Sequence, residues 1–211
     1  MEVLVVGNTA YVDDDFCAKA FPGDHVQVVA ADEARRDESS PHASWKELLQ
    51  HLDQAYEFDR VVYLSNYLTP HADTVGDIEL LRSVFRACMG RRVQLLYVAG
   101  PAAAEDAVDA AGQTGKGIIA RAANDLCRYY AAREGVQAKI LRAPFLYTAS
   151  AALEDPFLVP LFDACSTGSV ALQGAADAAF PLRCAAELAV LVRRVFDSWD
   201  ANFETLDVAD S

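Results

Sequence analysis

The chain has 211 residues, of which 53% are hydrophobic and 23% are charged, so it is long enough and apolar enough to bury a globular core. Its 18 basic and 31 acidic residues give a formal net charge of −13. A field of that sign repels phosphate backbones and anionic lipid, which excludes nucleic-acid and membrane-surface binding as expected functions of this domain. No apolar run approaches the roughly 20 residues that span a bilayer, and the apolar start is too short for a signal peptide. We therefore expect a soluble, cytoplasmic protein.

Cysteine and histidine show no pattern that would hold a metal ion or a set of disulfides. The cysteines include no C-x-x-C pair, and the histidines lack the H-x-x-x-H spacing of a helical metal site. An odd, scattered set of cysteines is typical of reduced thiols in a cytosol. We therefore expect no metal site, and no disulfide among Cys17, Cys88, Cys127, Cys165 and Cys184.

Strand and helix patterns alternate from the first residue. Short β-branched runs that are apolar throughout favour a parallel sheet, and the helical spacing between them favours helices on both faces. Right-handed crossovers then give a doubly wound, Rossmann-type α/β sheet. The predicted strands cover residues 3–6, 26–29, 60–64, 93–98 and 138–141, and the predicted helices cover 45–52, 78–89 and 118–134.

The pattern changes after residue 141. A Pro-rich helical piece is predicted near residues 156–162 and a short strand at 169–172. A helix over 184–199 and a last strand over 203–208 follow. Because no linker or repeat interrupts the chain, we expect one compact unit, made of a Rossmann-like domain over 1–150 and a segment over 151–211 that packs on it.

The turn after the first strand keeps one glycine of a dinucleotide-binding fingerprint. Gly7 closes the apolar run, as G-x-G-x-x-G or G-x-x-G-x-x-G requires. Ala10 stands at the second glycine position of the longer pattern, and Asp13 stands at the third. The candidate remnants of a cofactor-binding turn are Gly7, Asn8, Thr9 and Ala10.

Four segments together resemble the extended short-chain dehydrogenase/reductases, the family of NAD-dependent sugar epimerases and dehydratases. The resemblance covers nearly the whole chain and implies a Rossmann sheet, a nicotinamide cofactor and a substrate lobe, here truncated to residues 151–211. Residues 59–65 (DRVVYLS) are similar to the family's "FDxVxHLA" strand, and 77–89 to its "NxxGTxNLLxA" helix. Residues 121–147 are similar to "KxxxExLxxxY" followed by "LRPxxxYG", and 180–189 (FPLRCAAELA) to "FxxVxDxA".

Three carboxylates occupy the position where the resemblance implies a pyrophosphate. Asp13, Asp14 and Asp15 stand at the expected N-terminus of the first helix, where each stabilises the helix dipole by about 0.3–1 kcal/mol. Two unit charges about 4 Å apart repel by roughly 4 kcal/mol at an effective dielectric constant of about 20. We therefore interpret these residues as helix caps and expect no cofactor. If a cofactor binds, the resemblance implies that it is NAD(P).

A candidate ribose site follows the second predicted strand. Asp32 lies 25 residues after Gly7 (32 − 7), near the spacing of the acid that binds an adenosine ribose. Arg35 and Arg36 are placed to meet a 2′-phosphate instead. The alternative interpretation is a polar loop at the end of a strand.

The catalytic residues that the resemblance implies are replaced. The family uses a Tyr-x-x-x-Lys pair on the long helix, in which the lysine lowers the tyrosine's pKa for proton exchange. In the best register Gly117 takes the tyrosine position and Arg121 the lysine position. The supporting serine falls near Ala99 or Gly100, and neither carries a hydroxyl. We expect no catalytic residue.

The ends of the middle strands could still form a ligand pocket, because Rossmann folds bind ligands at the carboxyl ends of their strands. The alternative interpretation is an ordinary loop. The candidate pocket residues are Ser65, Asn66, Tyr67, His71, Ala99, Gly100 and Arg121.

Three hypotheses about function follow. The preferred one is a non-catalytic member of this family with a sensing, regulatory or protein-interaction role. Its partner would be an unknown small ligand or protein. Because the chain ends early in the substrate lobe, we also expect it to be the N-terminal part of a longer protein. The alternative is a divergent NAD(P)-dependent epimerase, dehydratase or reductase that acts on a nucleotide-sugar-like or small carbonyl substrate. The third is a homodimer through the helices over 78–89 and 118–134, as the resemblance implies.

Overall fold

The computed structural model describes residues 1–7, 11–30, 58–65, 74–100, 115–147 and 182–208. Their strands and helices alternate along the chain, as the pattern of apolar residues predicts. The strands are β1 (Glu2–Gly7), β2 (His25–Ala30), β3 (Arg60–Leu64), β4 (Gln94–Ala99), β5 (Gln137–Arg142), β6 (Phe145–Tyr147), β7 (Leu182–Cys184) and β8 (Phe203–Asp207). The helices are α1 (Asp14–Ala20), α2 (Thr74–Cys88), α3 (Gly115–Glu134) and α4 (Ala185–Asp197).

Six strands form one parallel sheet in the order β2-β1-β3-β4-β5-β8. The chain moves outward from β1 to β2 and then continues on the other side of β1, with β3, β4 and β5. The direction of winding therefore reverses between β1 and β3. In an open α/β sheet, such a reversal leaves a crevice at the carboxyl ends of the two strands. This confirms the predicted doubly wound, Rossmann-type fold.

The strands are buried on both faces because alternate side chains enter two separate cores. Val6, Tyr63, Tyr97 and Ile140 point to the core beneath α2 and α3. The neighbouring positions Val5, Val62, Leu96 and Leu141 point to the core beneath α1 and α4.

The last elements complete the sheet. α4 packs against α1, and β8 pairs with β5 as the sixth strand. The predicted helix over 184–199 and strand over 203–208 are thus confirmed to within two residues. The predicted domain boundary at 150, the helix over 45–52, the helical piece near 156–162 and the strand over 169–172 lie outside the described residues.

A buried lysine fastens β8 to β5. The side chain of Lys139 is only 2% exposed, and its Nζ atom lies 2.7 Å from Glu204 Oε2 and 3.1 Å from Asp200 Oδ1. The same ammonium lies 5.3 Å from the ring centre of Trp199, within the range of a cation–π contact. Because Asp200 precedes β8 and Glu204 lies on it, Lys139 fixes both the strand and its entry.

Candidate functional site

The candidate site lies at the carboxyl ends of β3, β4 and β5, the edge of the sheet where Rossmann folds bind ligands. A pocket there encloses about 310 Å³, including space open to solvent. Its described lining is mostly apolar, with Tyr11 and Ser65 as its hydroxyl-bearing residues. The lining residues are Tyr11, Leu64, Ser65, Val98, Ala99, Gly100, Ala143, Pro144 and Leu146.

Gly7 brings the first turn close to β3. Its φ angle is +111°, a conformation that side-chain-bearing residues rarely adopt. A Cβ atom at this position would lie 2.1 Å from the carbonyl oxygen of Leu64, which lines the pocket. The glycine is therefore required by backbone packing between β1 and β3, independently of any ligand.

The N-terminus of α1 is capped by the chain's own carboxylate. Asp13 Oδ1 accepts a hydrogen bond of 2.7 Å from the backbone N–H of Phe16, which confirms the predicted capping role. Asp14 and Asp15 occupy the first turn and are exposed, as Asp13 is. With seven residues α1 is short, and its first turn presents negative charge where a pyrophosphate would need free N–H donors.

A buried polar cluster lies behind the pocket, between β3, β4 and α2. The Tyr63 hydroxyl lies 2.6 Å from Asp77 Oδ1 and 2.9 Å from the Asp77 carbonyl oxygen. The hydroxyl of Ser65 donates to Asp77 Oδ2 at 3.3 Å. Ser65 and Asp77 are each 9% exposed. The cluster thus hydrogen-bonds a buried carboxylate to Ser65, a residue of the pocket lining.

Tyr97 completes the cluster as a neutral phenol. Burial raises the pKa of Tyr97, and the charge of Asp77 raises it further, while a hydrogen bond with Ser65 acts in the opposite direction. The net effect keeps Tyr97 protonated throughout the physiological range. A general acid or base works best with a pKa near the operating pH, so Tyr97 is unsuited to that role.

The structure brings some of the predicted site residues together. Ser65, Ala99 and Gly100 line the pocket, and Gly7 contacts its wall through Leu64. Arg121 is partly buried on α3 and is not among the residues that line the pocket. Asn8, Thr9, Ala10, Asp32, Arg35, Arg36, Asn66, Tyr67 and His71 lie outside the described residues.

Sequence reasoning missed several members of the site. Tyr11 is not among the predicted site residues, yet it is 8% exposed and lines the pocket. Pro144 and Leu146 follow β5, so the carboxyl-end rule that found Ala99 could have found them as well. Tyr63 and Asp77 gave no signal, because their partnership depends on how α2 packs against β3.

The described residues lack several of the groups that the resemblance implies for a dinucleotide-dependent enzyme. Asp13 already accepts from an N–H group at the start of α1, and two more carboxylates follow it. At the catalytic positions, Gly117 lies within α3 and Ala99 and Gly100 line the pocket without a hydroxyl. No step of a dehydrogenase or epimerase reaction can be assigned to these residues.

Comparison with known proteins defines the fold. No protein-family model and no curated protein matches the chain. A UDP-glucuronic acid 4-epimerase from Bacillus cereus, in complex with UDP-glucuronic acid and NAD, superposes with a TM-score of 0.73 at 11% identity, covering 100% of this chain and 78% of that one. A double mutant of DesIV, a dTDP-glucose 4,6-dehydratase from Streptomyces venezuelae with NAD and DAU bound, superposes with a TM-score of 0.71 at 13% identity. The match covers 98% of this chain and 76% of that one. The chain has the fold of these two NAD-bound proteins.

This chain covers a smaller share of a third solved structure. The capsular polysaccharide assembling protein CapF from Staphylococcus aureus gives a TM-score of 0.62 at 16% identity, covering 98% of this chain and 53% of that one. This chain therefore spans about half of CapF. At these sequence identities the likeness establishes the fold that the sequence predicts. It does not establish the function of the site.

Within the described ranges, no helix is both long and apolar enough to cross a membrane. Over the same ranges, no three side chains of His, Cys, Asp or Glu gather in a way that would hold a metal ion.

Proposed function

We propose that this chain is a cytoplasmic, non-catalytic Rossmann domain that senses a small ligand at the carboxyl ends of β3, β4 and β5. The observation that carries the proposal is the Asp13 cap of α1, because its carboxylate takes an N–H group at the place of a cofactor's pyrophosphate. The neutral state of Tyr97 and the absent hydroxyls at Ala99 and Gly100 support the same conclusion.

The decisive test is calorimetric titration of the chain with NAD⁺, NADH, NADP⁺ and NADPH. We expect no binding with millimolar cofactor. A matched variant, Asp13→Asn/Asp14→Asn/Asp15→Asn, keeps the shape of the first turn and removes its negative charge. Micromolar binding by the natural chain would overturn the proposal, and binding by the variant alone would support the electrostatic reason for it.

A second candidate is a divergent NAD(P)-dependent epimerase, dehydratase or reductase acting on a nucleotide sugar or a small carbonyl compound. It is favoured by the likeness to the epimerase and the dehydratase described above, and by the retained Gly7. Turnover of UDP- or dTDP-sugars with added NAD⁺, followed by chromatography of the products, tests it directly. Turnover that is lost in a Gly100→Leu variant, which narrows the pocket, would establish this candidate.

Self-association through α2 and α3 is a further proposal. The two helices pack against each other, so their outer faces together offer one continuous surface. Exposed residues there include Arg82, Arg86 and Tyr129, of which Tyr129 is 52% exposed. Sedimentation velocity over a range of protein concentrations tests the proposal, and a concentration-independent monomer would exclude it.

A further inference from the structure

The outer sides of α2 and α3 carry a group of exposed arginines around two exposed apolar side chains. The ring of Phe85 on α2 stacks on that of Tyr130 on α3 with the ring centres 4.7 Å apart, which places the two helices side by side at this level. Residues three or four positions apart share one side of a helix, so the exposed residues next to this stack form one surface. We call it the arginine surface, and it consists of Arg82, Arg86, Met89, Tyr129 and Arg133.

The composition of the arginine surface is typical of a protein–protein interface, where arginine, methionine and tyrosine are enriched and lysine and glutamate are depleted. Tyr129 is 52% exposed and Met89 is 39% exposed. The ring of Tyr129 is held in place, because it packs edge-on against Tyr130 with the ring centres 5.4 Å apart and its hydroxyl donates to Glu134 Oε1 at 3.3 Å. An ordered, exposed aromatic ring between arginines is the kind of group that contributes most to binding a partner.

The arginine surface is positively charged in a chain whose net charge is −13. Among the described residues, no carboxylate forms an ion pair with Arg82, Arg86 or Arg133. On α4, by contrast, Arg193 pairs with Asp197 at 3.5 Å. A guanidinium group binds a carboxylate through two parallel hydrogen bonds, which makes arginine suited to recognise acidic side chains.

The charge of the surface also bears on other occupants. A two-fold contact between copies of this chain would set the same arginines of both copies in one interface, where like charges repel. A nucleic acid would be repelled by the negative charge of the chain as a whole. Self-association through α2 and α3 uses the same surface, so binding of a second copy and binding of an acidic partner exclude each other there.

We infer that the arginine surface binds an acidic segment of a partner protein. Carboxylates of the partner pair with Arg82, Arg86 and Arg133, and an apolar side chain of the partner packs against Met89 and Tyr129. The inference goes beyond the proposed function and does not depend on it, since the surface lies on the outer side of the helices and shares no residue with the carboxyl-end pocket.

Two labelled peptides test the requirement for negative charge. The first is a fluorescein-labelled peptide of repeated Asp-Glu-Leu triplets, and the second has the neutral repeat Asn-Gln-Leu. In fluorescence anisotropy titrations of the whole chain, the acidic peptide should bind at least about tenfold more tightly than the neutral one. Its affinity should fall at least about tenfold between about 0.05 M and about 0.5 M NaCl, because salt screens exposed charges.

Two double variants with the same change of net charge locate the site. Arg86→Gln/Arg133→Gln removes two arginines from the surface and should weaken the acidic peptide at least about tenfold. Arg193→Gln/Arg194→Gln removes two exposed arginines from α4 and should change the affinity by less than about twofold. Titration of the natural chain followed by ¹H–¹⁵N NMR needs no variant, and the largest shifts are expected at the amides of Met89 and Tyr129.

Several outcomes would overturn the inference. Equal weakening by the two double variants would mean that the peptide responds to net charge alone. The absence of peptide binding, or tighter binding of a labelled oligothymidylate than of the acidic peptide, would also contradict an acidic protein partner. A concentration-dependent dimer that excludes the acidic peptide would assign the surface to a second copy instead. None of these results bears on whether the carboxyl-end pocket senses a ligand.

Discussion

The hydroxyl of Tyr63 donates a hydrogen bond of 2.6 Å to the carboxylate of Asp77, and this bond ties the centre of the sheet to the first turn of α2. Tyr63 is fully buried, and its ring packs at 5.9 Å, centre to centre, from that of Tyr97 on the neighbouring strand. Ser65, the residue that follows β3, donates to the other carboxylate oxygen. One buried acid therefore orders the wall of the pocket and the entry to the helix together.

Replacing this acid should destabilise the fold. Asp77→Ala leaves the Tyr63 and Ser65 hydroxyls without their carboxylate acceptor, which we expect to lower the free energy of unfolding by about 2–4 kcal/mol. Urea denaturation measures the loss, and a double-mutant cycle with Tyr63→Phe should give a coupling energy of about 1–3 kcal/mol. Ser83→Ala, which removes an exposed hydroxyl from the same helix, is the control and should change stability by less than about 0.5 kcal/mol. A coupling energy near zero would contradict the assigned hydrogen bond.

Gly7→Ala should be among the most damaging single substitutions. The new methyl group would overlap the Leu64 carbonyl oxygen at 2.1 Å in a backbone with φ of +111°, so we expect a loss of about 3 kcal/mol or more. Gly90→Ala is the matched control, because Gly90 also has a positive φ, +72°, but has no atom within 4 Å of the added carbon. Its cost should be about 1 kcal/mol, from backbone strain alone. Urea denaturation of both variants checks the difference, and equal losses would show that the close contact has no role.

Asp13 offers a test of the helix cap. Asp13→Ala removes the acceptor for the Phe16 N–H group and should cost about 1 kcal/mol of stability. Asp13→Asn keeps an acceptor oxygen in the same place and should cost only a few tenths of that amount, roughly 0.3 kcal/mol. Thermal and urea unfolding of the two variants distinguish the hydrogen bond from the charge. Equal losses in the two variants would mean that the charge of Asp13 on the helix dipole, and not the hydrogen bond, carries the stabilisation.

The buried Lys139 makes stability depend on alkaline pH. Burial lowers the pKa of its ammonium, but the hydrogen bonds and charges of Glu204 and Asp200 outweigh burial and raise the pKa above the usual 10.5. A group with a raised folded-state pKa contributes stability that is complete below the unfolded-state pKa and is lost as pH rises through the folded value. The free energy of unfolding of the natural chain, relative to a Lys139→Met variant, should therefore be constant near neutrality and fall above about pH 10.5.

The same lysine predicts the behaviour in acid. Its hydrogen bond lowers the pKa of Asp200 below the usual 3.8, so the contribution of this pair is present above that pH and is lost as the pH falls further. Asp200→Asn should weaken the dependence on pH in this range, as measured by urea denaturation between pH 2 and 5. An unchanged profile would contradict the pairing of Asp200 with Lys139.

The regular part of the fold could be predicted from the sequence because it follows from local patterns. The strand over Arg60–Leu64 was predicted to the residue, since β-branched and apolar residues cover its whole length. The start of α2 was placed at residue 78 rather than Thr74 because the apolar spacing begins only with Ile78, after a first turn that is polar. β6 and β7 were missed, since each has only three residues and the two pair across a long separation in sequence.

Only the part of the site that lies at the ends of predicted strands could be predicted from the sequence. Ser65, Ala99 and Gly100 were found because ligands bind at the carboxyl ends of parallel strands. Tyr11 was not predicted, because the glycine pattern specifies only the glycine positions of this turn and not the residue that packs beside them. The hydrogen bond between Tyr63 and Asp77 depends on how α2 is placed against β3. The pattern of residue types does not determine that placement.

The close approach of Gly7 to Leu64 bears on how such sequences are classified. A glycine that ends the first strand is often taken as evidence that a chain binds a dinucleotide. Here the neighbouring backbone alone forbids any larger residue, so selection for folding would preserve this glycine whether or not a cofactor binds. The first glycine of the fingerprint therefore diagnoses the architecture, whereas the second and third positions, which here hold Ala10 and Asp13, are the ones that report on the ligand.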